Sequence, residues 1–208
     1  VKSYPEIEDY IRYHLARVLL KSGKSTKALE QISAIQKKFP ETLLYAQIQI
    51  LLAKTLERDG KEEDALNVLS KAKESLSGFS NTSRPSSYLP EIIFYQGQLY
   101  QKAKKNNEAY WLYRLLHITY PTNQFTQQAK VEMSKLAKLP GIIIKPLAID
   151  EHAKRISELL SNIQYRQVVI EVTELLKSKS PLPGKFYFYL AKAQKGLREK
   201  KLANAALR

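Results

Sequence analysis

Several residue types and patterns that mark particular protein classes are absent or scarce in this chain. The 208 residues include no cysteine, which excludes a disulfide scaffold, thiolate metal sites and cysteine nucleophiles. Only seven glycines are present, few for a sheet-rich fold that needs many tight turns. No apolar run approaches the roughly 18 residues needed to cross a bilayer, so the sequence predicts no transmembrane segment.

Constellations that carry chemistry are also missing. His14, His117 and His152 are far apart in sequence, and none has a second histidine at the helical spacing typical of zinc sites. The acidic cluster at 62–64 opens a predicted helix, where carboxylates stabilise the helix dipole. The pair Glu171 and Glu174 has no neighbour that would split its pKa values. No phosphate-binding glycine loop or nucleophile elbow occurs. We therefore expect no catalytic residues, no metal site and no cofactor.

What the chain does contain is positive charge and good helix formers. The formal net charge is +14. It is distributed unevenly, with +2 over residues 1–80, +6 over 81–148 and +6 over 149–208. A basic surface of this kind favours polyanions, anionic lipids or acidic partners. Leu, Ala, Lys, Gln and Glu dominate the composition, and they favour helix.

A repeat organises this helical pattern. Three segments, 12–40, 49–72 and 93–121, each contain an apolar-periodic helix, a short polar turn and a second helix. Small residues recur in register, twelve positions apart, within the two helices of each segment: Ala16 with Ala28, Ala53 with Ala65, and Gly97 with Ala109. Small residues at such positions let two helices approach closely, because bulk at the crossing forces the axes apart.

The ends of the helices are marked in the same register. Gly23 and Gly60 lie where the first helix must stop, as C-terminal capping requires. Pro40 and Pro121 follow the second helix, which proline cannot continue.

This pattern resembles the tetratricopeptide repeat (TPR), a unit of about 34 residues with small, aromatic and proline residues at fixed offsets. The third segment carries the resemblance best, through Gly97, Tyr100, Ala109, Tyr113 and Pro121. The second segment has Ser77 where the family has proline. The resemblance implies an all-α fold, a right-handed α-solenoid of TPR-like helix pairs.

We expect three parts along the chain. Residues 1–139 would form three TPR-like helix pairs plus one extra helix at 123–139, with a surface loop at 77–87. Residues 140–146, PGIIIKP, would be an extended connector. Residues 147–208 would form further TPR-like helices, with Val168, Ala191 and Ala203 at the small positions. Because residue 1 is valine and the pattern stops inside ANAALR, we expect further sequence at both ends.

The resemblance also implies a binding groove, since the first helices of such repeats line a concave surface. The groove-facing positions would be Tyr13, Arg17, Lys21, Ile50, Lys54, Arg58, Phe94, Gln98 and Lys102. Such a basic groove with apolar footholds would suit an extended or helical segment carrying acidic residues or a free carboxylate. Tyr13 and Gln98 depart from the Lys, Asn and Arg pattern with which some TPR proteins clamp a C-terminal carboxylate.

Three functions are compatible with these features. The first is a non-catalytic scaffold that binds a protein or peptide partner. The second is an accessory region of a larger enzyme, because the array resembles the superhelical region of bacterial soluble lytic transglycosylases and periplasmic TPR lipoproteins. That resemblance would favour a periplasmic or cell-envelope location and contact with peptidoglycan. The third is nucleic-acid binding through the basic surface, although no nucleic-acid motif is present. Uncovered apolar faces on the extra helix and at the C-terminal end also permit dimerisation.

Overall fold

The computed structural model describes residues 7–78, 86–178 and 181–198. Within these ranges the regular structure is entirely helical, as the sequence predicts, and none of the helices there is long and apolar enough to cross a membrane. A 3₁₀ turn, Ser86–Tyr88, accompanies ten α-helices: α1 Glu8–Lys21, α2 Ser25–Lys38, α3 Tyr45–Arg58, α4 Glu62–Gly78, α5 Leu89–Lys102, α6 Asn106–Thr119, α7 Gln124–Leu136, α8 Ile149–Ser161, α9 Tyr165–Ser178 and α10 Gly184–Gly196.

The chain divides into two compact units, residues 1–109 (unit 1) and 110–208 (unit 2). The boundary falls within α6 rather than in the segment 140–146. The division of the repeats at that segment stays a prediction. Most of the loop predicted for 77–87, and Ala203, lie outside the described residues.

The helices of unit 1 pack at small residues. Ala16 and Ala28, from α1 and α2, have no exposed surface, and the same is true of Ala53 and Ala65 from α3 and α4. Around the first pair lie buried aliphatic side chains that join α1, α2 and α3, namely Ile32, Ile35, Ile48 and Leu51. Burying one such side chain contributes roughly 1.5–3 kcal/mol. Ala16 and Ala28 are therefore part of an apolar core that joins the first three helices.

Unit 2 has its own core, built from α8, α9 and α10. Its largest buried side chain is Phe186, which packs with Ile156, Val168 and Val172, all fully buried. Val168 occupies the register of Ala28, so a larger residue is accommodated at this helix pair. The extra helix α7 is capped by Asn123, whose side chain accepts a hydrogen bond from the Phe125 amide at 2.9 Å.

A buried arginine binds the end of the segment 140–146, which contains no helix. Arg114 of α6 is 6% exposed. Its guanidinium donates to the carbonyl oxygens of Lys145 and Pro146, at 2.5 and 3.0 Å, and to the Glu151 carboxylate at 2.6 Å. Because these bonds join α6 to the end of the connector and the start of α8, they hold the connector against unit 2.

The first helix of each repeat ends in the same left-handed turn. Gly23 and Gly60 have φ of 78° and 75°, as capping predicts. In the same register the other repeats place residues with a side chain: Lys104, Ile163 and Arg198, with φ of 59°, 61° and 66°. The following amide donates to a carbonyl five residues earlier, for example Lys24 to Leu19 and Gln164 to Leu159, both at 2.9 Å. Glycine adopts this conformation without strain, whereas a β-branched residue does not.

We predict that Ile163→Gly stabilises the protein. Ile163 is 70% exposed, so little packing is lost. Relief of the left-handed strain, about 1–2 kcal/mol, exceeds the entropic cost of glycine, about 0.5–1 kcal/mol. The free energy of unfolding, measured by urea denaturation, should rise by roughly 0.5–1 kcal/mol.

Val131→Gly is the matched control, because Val131 is also exposed but lies inside α7. There glycine should lower the free energy of unfolding by about 1 kcal/mol. Equal losses for both variants would contradict the turn assignment.

Candidate functional site

Five of the nine residues predicted to face a groove line one cleft in unit 1. This cleft, which we call the α1–α3 cleft, has a volume of about 440 Å³. The predicted residues Tyr13, Arg17, Lys21, Ile50 and Lys54 line it. Five further residues complete the wall: Leu20, Gln47, Leu51, Tyr88 and Glu91.

The other four predicted residues do not line this cleft. The Arg58 guanidinium donates to the Leu20 carbonyl oxygen and so caps the C-terminal end of α1. Phe94 is buried at 6% exposure. Gln98 is exposed. Lys102 forms ion pairs with Glu62 and Glu57, at 3.2 and 3.3 Å, which raise the pKa of the lysine.

Positive charge in the cleft is only partly neutralised. Lys54 pairs with Glu91 at 3.4 Å, and its Nζ lies 5.5 Å from the centroid of the Tyr95 ring. Arg17 and Lys21 are exposed, and among the described residues neither is paired with a carboxylate. The Arg17 guanidinium lies 5.6 Å from the centroid of the Tyr13 ring. The Arg17 guanidinium also lies 3.4 Å from His14 Nδ1. The cleft therefore presents two cations that no carboxylate of the described residues neutralises.

The floor of the cleft is apolar and contains one unused hydrogen-bond acceptor. Ile50 and Leu51 are 5% and 6% exposed. Gln47 donates from Nε2 to the Tyr88 hydroxyl at 2.7 Å. Its buried Oε1 has no partner among the described residues. Burial raises the pKa of Tyr13, so this phenol is neutral at physiological pH.

Sequence reasoning missed Gln47 and Glu91, although a signal for both was present. The predicted groove residues lie on three successive turns of each first helix, and the first of them are Tyr13, Ile50 and Phe94. One turn earlier, the same register gives Gln47 in α3 and Glu91 in α5. Because residues three or four apart share a helix face, extending the pattern by one turn would have found both.

Comparisons with known proteins identify the fold. No protein-family model and no curated protein matches the sequence. Among solved structures, the complex of the TPR2AB domain of yeast Sti1 with pHSP90 covers 95% of this chain and 74% of its own, with a TM-score of 0.51 and 16% identity. The chain has a TPR fold. TPR-like repeats of a kinesin light chain from Podosopora anserina cover 95% of this chain and 90% of their own, at 17% identity and a TM-score of 0.42.

In a TPR fold each repeat has two helices, and the α1–α3 cleft is formed mainly by the first helices of successive repeats. Helices α1, α3 and α5 are the first helices of three TPR-like pairs, and the 3₁₀ turn that supplies Tyr88 directly precedes α5. The convergence of Tyr13, Arg17, Lys21 and Lys54 thus follows from the repeat register.

Unit 2 contains a polar cluster that the sequence did not reveal. Arg155 is 4% exposed. Its Nε and Nη2 donate to the Glu171 carboxylate, at 3.1 and 2.7 Å, and its Nη1 donates to the His117 carbonyl oxygen at 2.5 Å. The Nδ1 atom of His117 is buried and has no partner among the described residues. Nowhere in the described ranges do three or more His, Asp or Glu side chains form a group that could hold a metal ion.

Burial, with Arg155 adding to it, lowers the pKa of His117 to about 4. Lys130 and Arg114 act in the same direction, whereas Glu171 opposes them. The unfolded chain has a histidine pKa of about 6.5. It therefore binds a proton that the folded state rejects as the pH falls below that value. The stability associated with neutral His117 is complete above about pH 6.5 and is lost as the pH falls towards 4.

We predict that His117→Gln reduces the acid sensitivity of the protein. Between pH 7 and 5, titration of His117 should cost the wild type roughly 1–2 kcal/mol in the free energy of unfolding, after allowance for solvent screening. The variant lacks this titration. Urea denaturation at both pH values measures the difference, and parallel losses in the two proteins would contradict the assignment.

Proposed function

We propose that this protein is a non-catalytic scaffold that binds an acidic protein segment in the α1–α3 cleft. One observation carries the proposal, namely that two exposed cations without carboxylate partners in the described structure, Arg17 and Lys21, border an apolar floor formed by Ile50 and Leu51. Cations beside apolar footholds suit a chain segment that alternates acidic and apolar side chains.

The chemistry of the cleft suits a peptide in three respects. An aspartate or glutamate would pair with Arg17 or Lys21. An apolar side chain would cover Ile50 and Leu51. The Tyr88 hydroxyl, which accepts a hydrogen bond from Gln47, could donate its own proton to a peptide carbonyl oxygen.

The remaining predicted groove residues have supporting roles in this proposal. Lys54, in the wall of the cleft, is paired with Glu91. Arg58, outside the cleft, is bonded to the end of α1, so neither supplies an unpaired charge to the cleft. Lys102 is neutralised by Glu57 and Glu62. These partners mean that specificity depends on Arg17 and Lys21 more than on the full set of basic residues.

The structural neighbour from yeast is a complex with pHSP90, and binding of a protein partner by a TPR fold is what the proposal extends to this chain. A role in the cell envelope or beside a wall-degrading enzyme, and binding of nucleic acid, stay predictions from the sequence. No contact of the described residues favours either of them.

We predict that Arg17→Glu combined with Lys21→Glu abolishes this binding. Short random peptides displayed on phage would be selected on the wild-type protein, and the enriched peptides measured by fluorescence polarisation. We expect acidic peptides with apolar residues to be enriched. The double variant should bind them at least about tenfold more weakly, since one displaced ion pair of this kind can account for about 1.4 kcal/mol.

The control is Lys27→Glu with Lys37→Glu, which makes the same charge change at exposed positions of α2. If the control weakens binding equally, the effect is one of overall charge and the cleft is not the site. If selection enriches no acidic peptide, the proposal is wrong.

A further inference from the structure

A half-buried lysine in unit 2 lacks a partner. Lys130 lies on α7, and among the residues that the structure describes its ammonium has no acceptor or carboxylate. Arg155 lies nearby, and burial together with this like charge lowers the pKa of Lys130, although the Glu171 carboxylate acts in the opposite direction. Desolvating an ammonium that forms no ion pair is unfavourable, so the position of Lys130 costs the unliganded protein stability.

The nearby guanidinium of Arg155 is held in place by its own hydrogen bonds. Its Nε and Nη2 donate to the Glu171 carboxylate, and its Nη1 donates to the His117 carbonyl oxygen. Gln167 donates to the same carboxylate at 2.9 Å. The Glu171 carboxylate therefore accepts hydrogen bonds from two side chains, and it forms no ion pair with Lys130.

Lys130 borders a small polar cleft, which we call the α7–α9 cleft. Its volume is about 230 Å³. The polar side chains that line it can all donate hydrogen bonds: Thr122, Gln127, Lys130, Arg155, Gln164 and Gln167. Over the described ranges, no aspartate or glutamate lines this cleft. On their other side, Lys130 and Arg155 border a larger cavity of about 650 Å³, which Glu171 and Glu174 also line.

We propose that the α7–α9 cleft binds an oxyanion, a phosphate or carboxylate group, with Lys130 as its main charged contact. The unpaired ammonium of Lys130 and several amide and hydroxyl donors surround a space of this size, and together they form a donor set that a tetrahedral or planar oxyanion can use. The anion would supply the charge that Lys130 lacks. This site is in unit 2 and does not depend on the peptide proposed for the α1–α3 cleft.

Replacing Lys130 by methionine distinguishes a lysine that binds an anion from a lysine that only packs. A lysine needed for packing alone is replaceable by methionine, which has a similar length and no charge. Lys130→Met removes the desolvated charge, so it should raise the melting temperature of the protein in chloride buffer. The same change removes the contact to the anion, so it should abolish stabilisation by that anion.

The experiment compares melting temperatures of the full chain in sodium chloride, sodium acetate and sodium phosphate at equal ionic strength. Phosphate should raise the wild-type melting temperature by about 5 °C or more at a concentration about a hundredfold above its Kd. Lys130→Met should start higher in chloride and show no shift. Lys138→Met is the matched control, because Lys138 is exposed just beyond the end of α7, and it should behave like the wild type.

The two anions distinguish the source of the oxyanion. A shift with phosphate alone indicates free phosphate or a phosphate ester, and an equal shift with acetate indicates a carboxylate, such as an acidic side chain. A phosphate shift that persists in Lys130→Met is a general salt effect and overturns the proposal, as does the absence of any shift in the wild type.

A second measurement covers the case in which Lys130→Met does not fold. In amide NMR spectra of the wild type, phosphate should shift the side-chain NH₂ signals of Gln127, Gln164 and Gln167 at the same concentrations. If these signals stay unchanged while phosphate is added, the cleft does not bind it and the proposal fails.

Discussion

Close approach of paired helices at buried alanines is the constraint on which the rest of unit 1 depends. Ala16 and Ala28, like Ala53 and Ala65, are fully buried, so a larger side chain at these positions would have to displace its neighbours. Each helix buries its small residue on one face, and this fixes the rotation of the helix about its axis. Arg17 and Lys54 directly follow Ala16 and Ala53, about 100° further around each helix, and they line the α1–α3 cleft. The packing of the helices thereby determines which residues line this cleft.

The fold was largely predictable from the sequence because the residues that set the rotation and the ends of each helix recur at fixed spacing. Small residues twelve positions apart, glycines at two helix ends and prolines at two others set the register without any knowledge of tertiary contacts. The left-handed turns at Lys104, Ile163 and Arg198 could not be predicted in this way. Nothing local favours a side chain there. At Lys104 and Ile163 the strain is outweighed by packing of the two helices that the turn connects. Composition identifies such turns only where the residue is glycine.

The candidate site was predictable to a lesser extent, and the reason is side-chain reach. Register places residues on a helix face, but pairing depends on neighbours from other helices. Lys54 meets Glu91, 37 residues away, and Lys102 meets Glu57, 45 residues away. From the sequence, all the basic groove residues looked alike. The ion pairs neutralise Lys54 and Lys102, and they leave Arg17 and Lys21 without a carboxylate partner among the described residues. The polar cluster around Arg155 was invisible for the same reason, since His117 and Glu171 come from different helices.

The net charge of +14 does not distinguish the basic side chains from one another. How far each cation is exposed to water determines how strongly it attracts an anionic group. Arg17 and Lys21 are exposed, so their attraction for an acidic partner is screened over a Debye length of about 8 Å at physiological salt. Lys130 is half-buried, and its attraction for a counter-charge is screened far less because water is partly excluded. Ionic strength should consequently weaken association at the first cleft while leaving the second comparatively unaffected. Two basic sites in one chain would then differ in salt dependence because of burial, although their formal charges are similar.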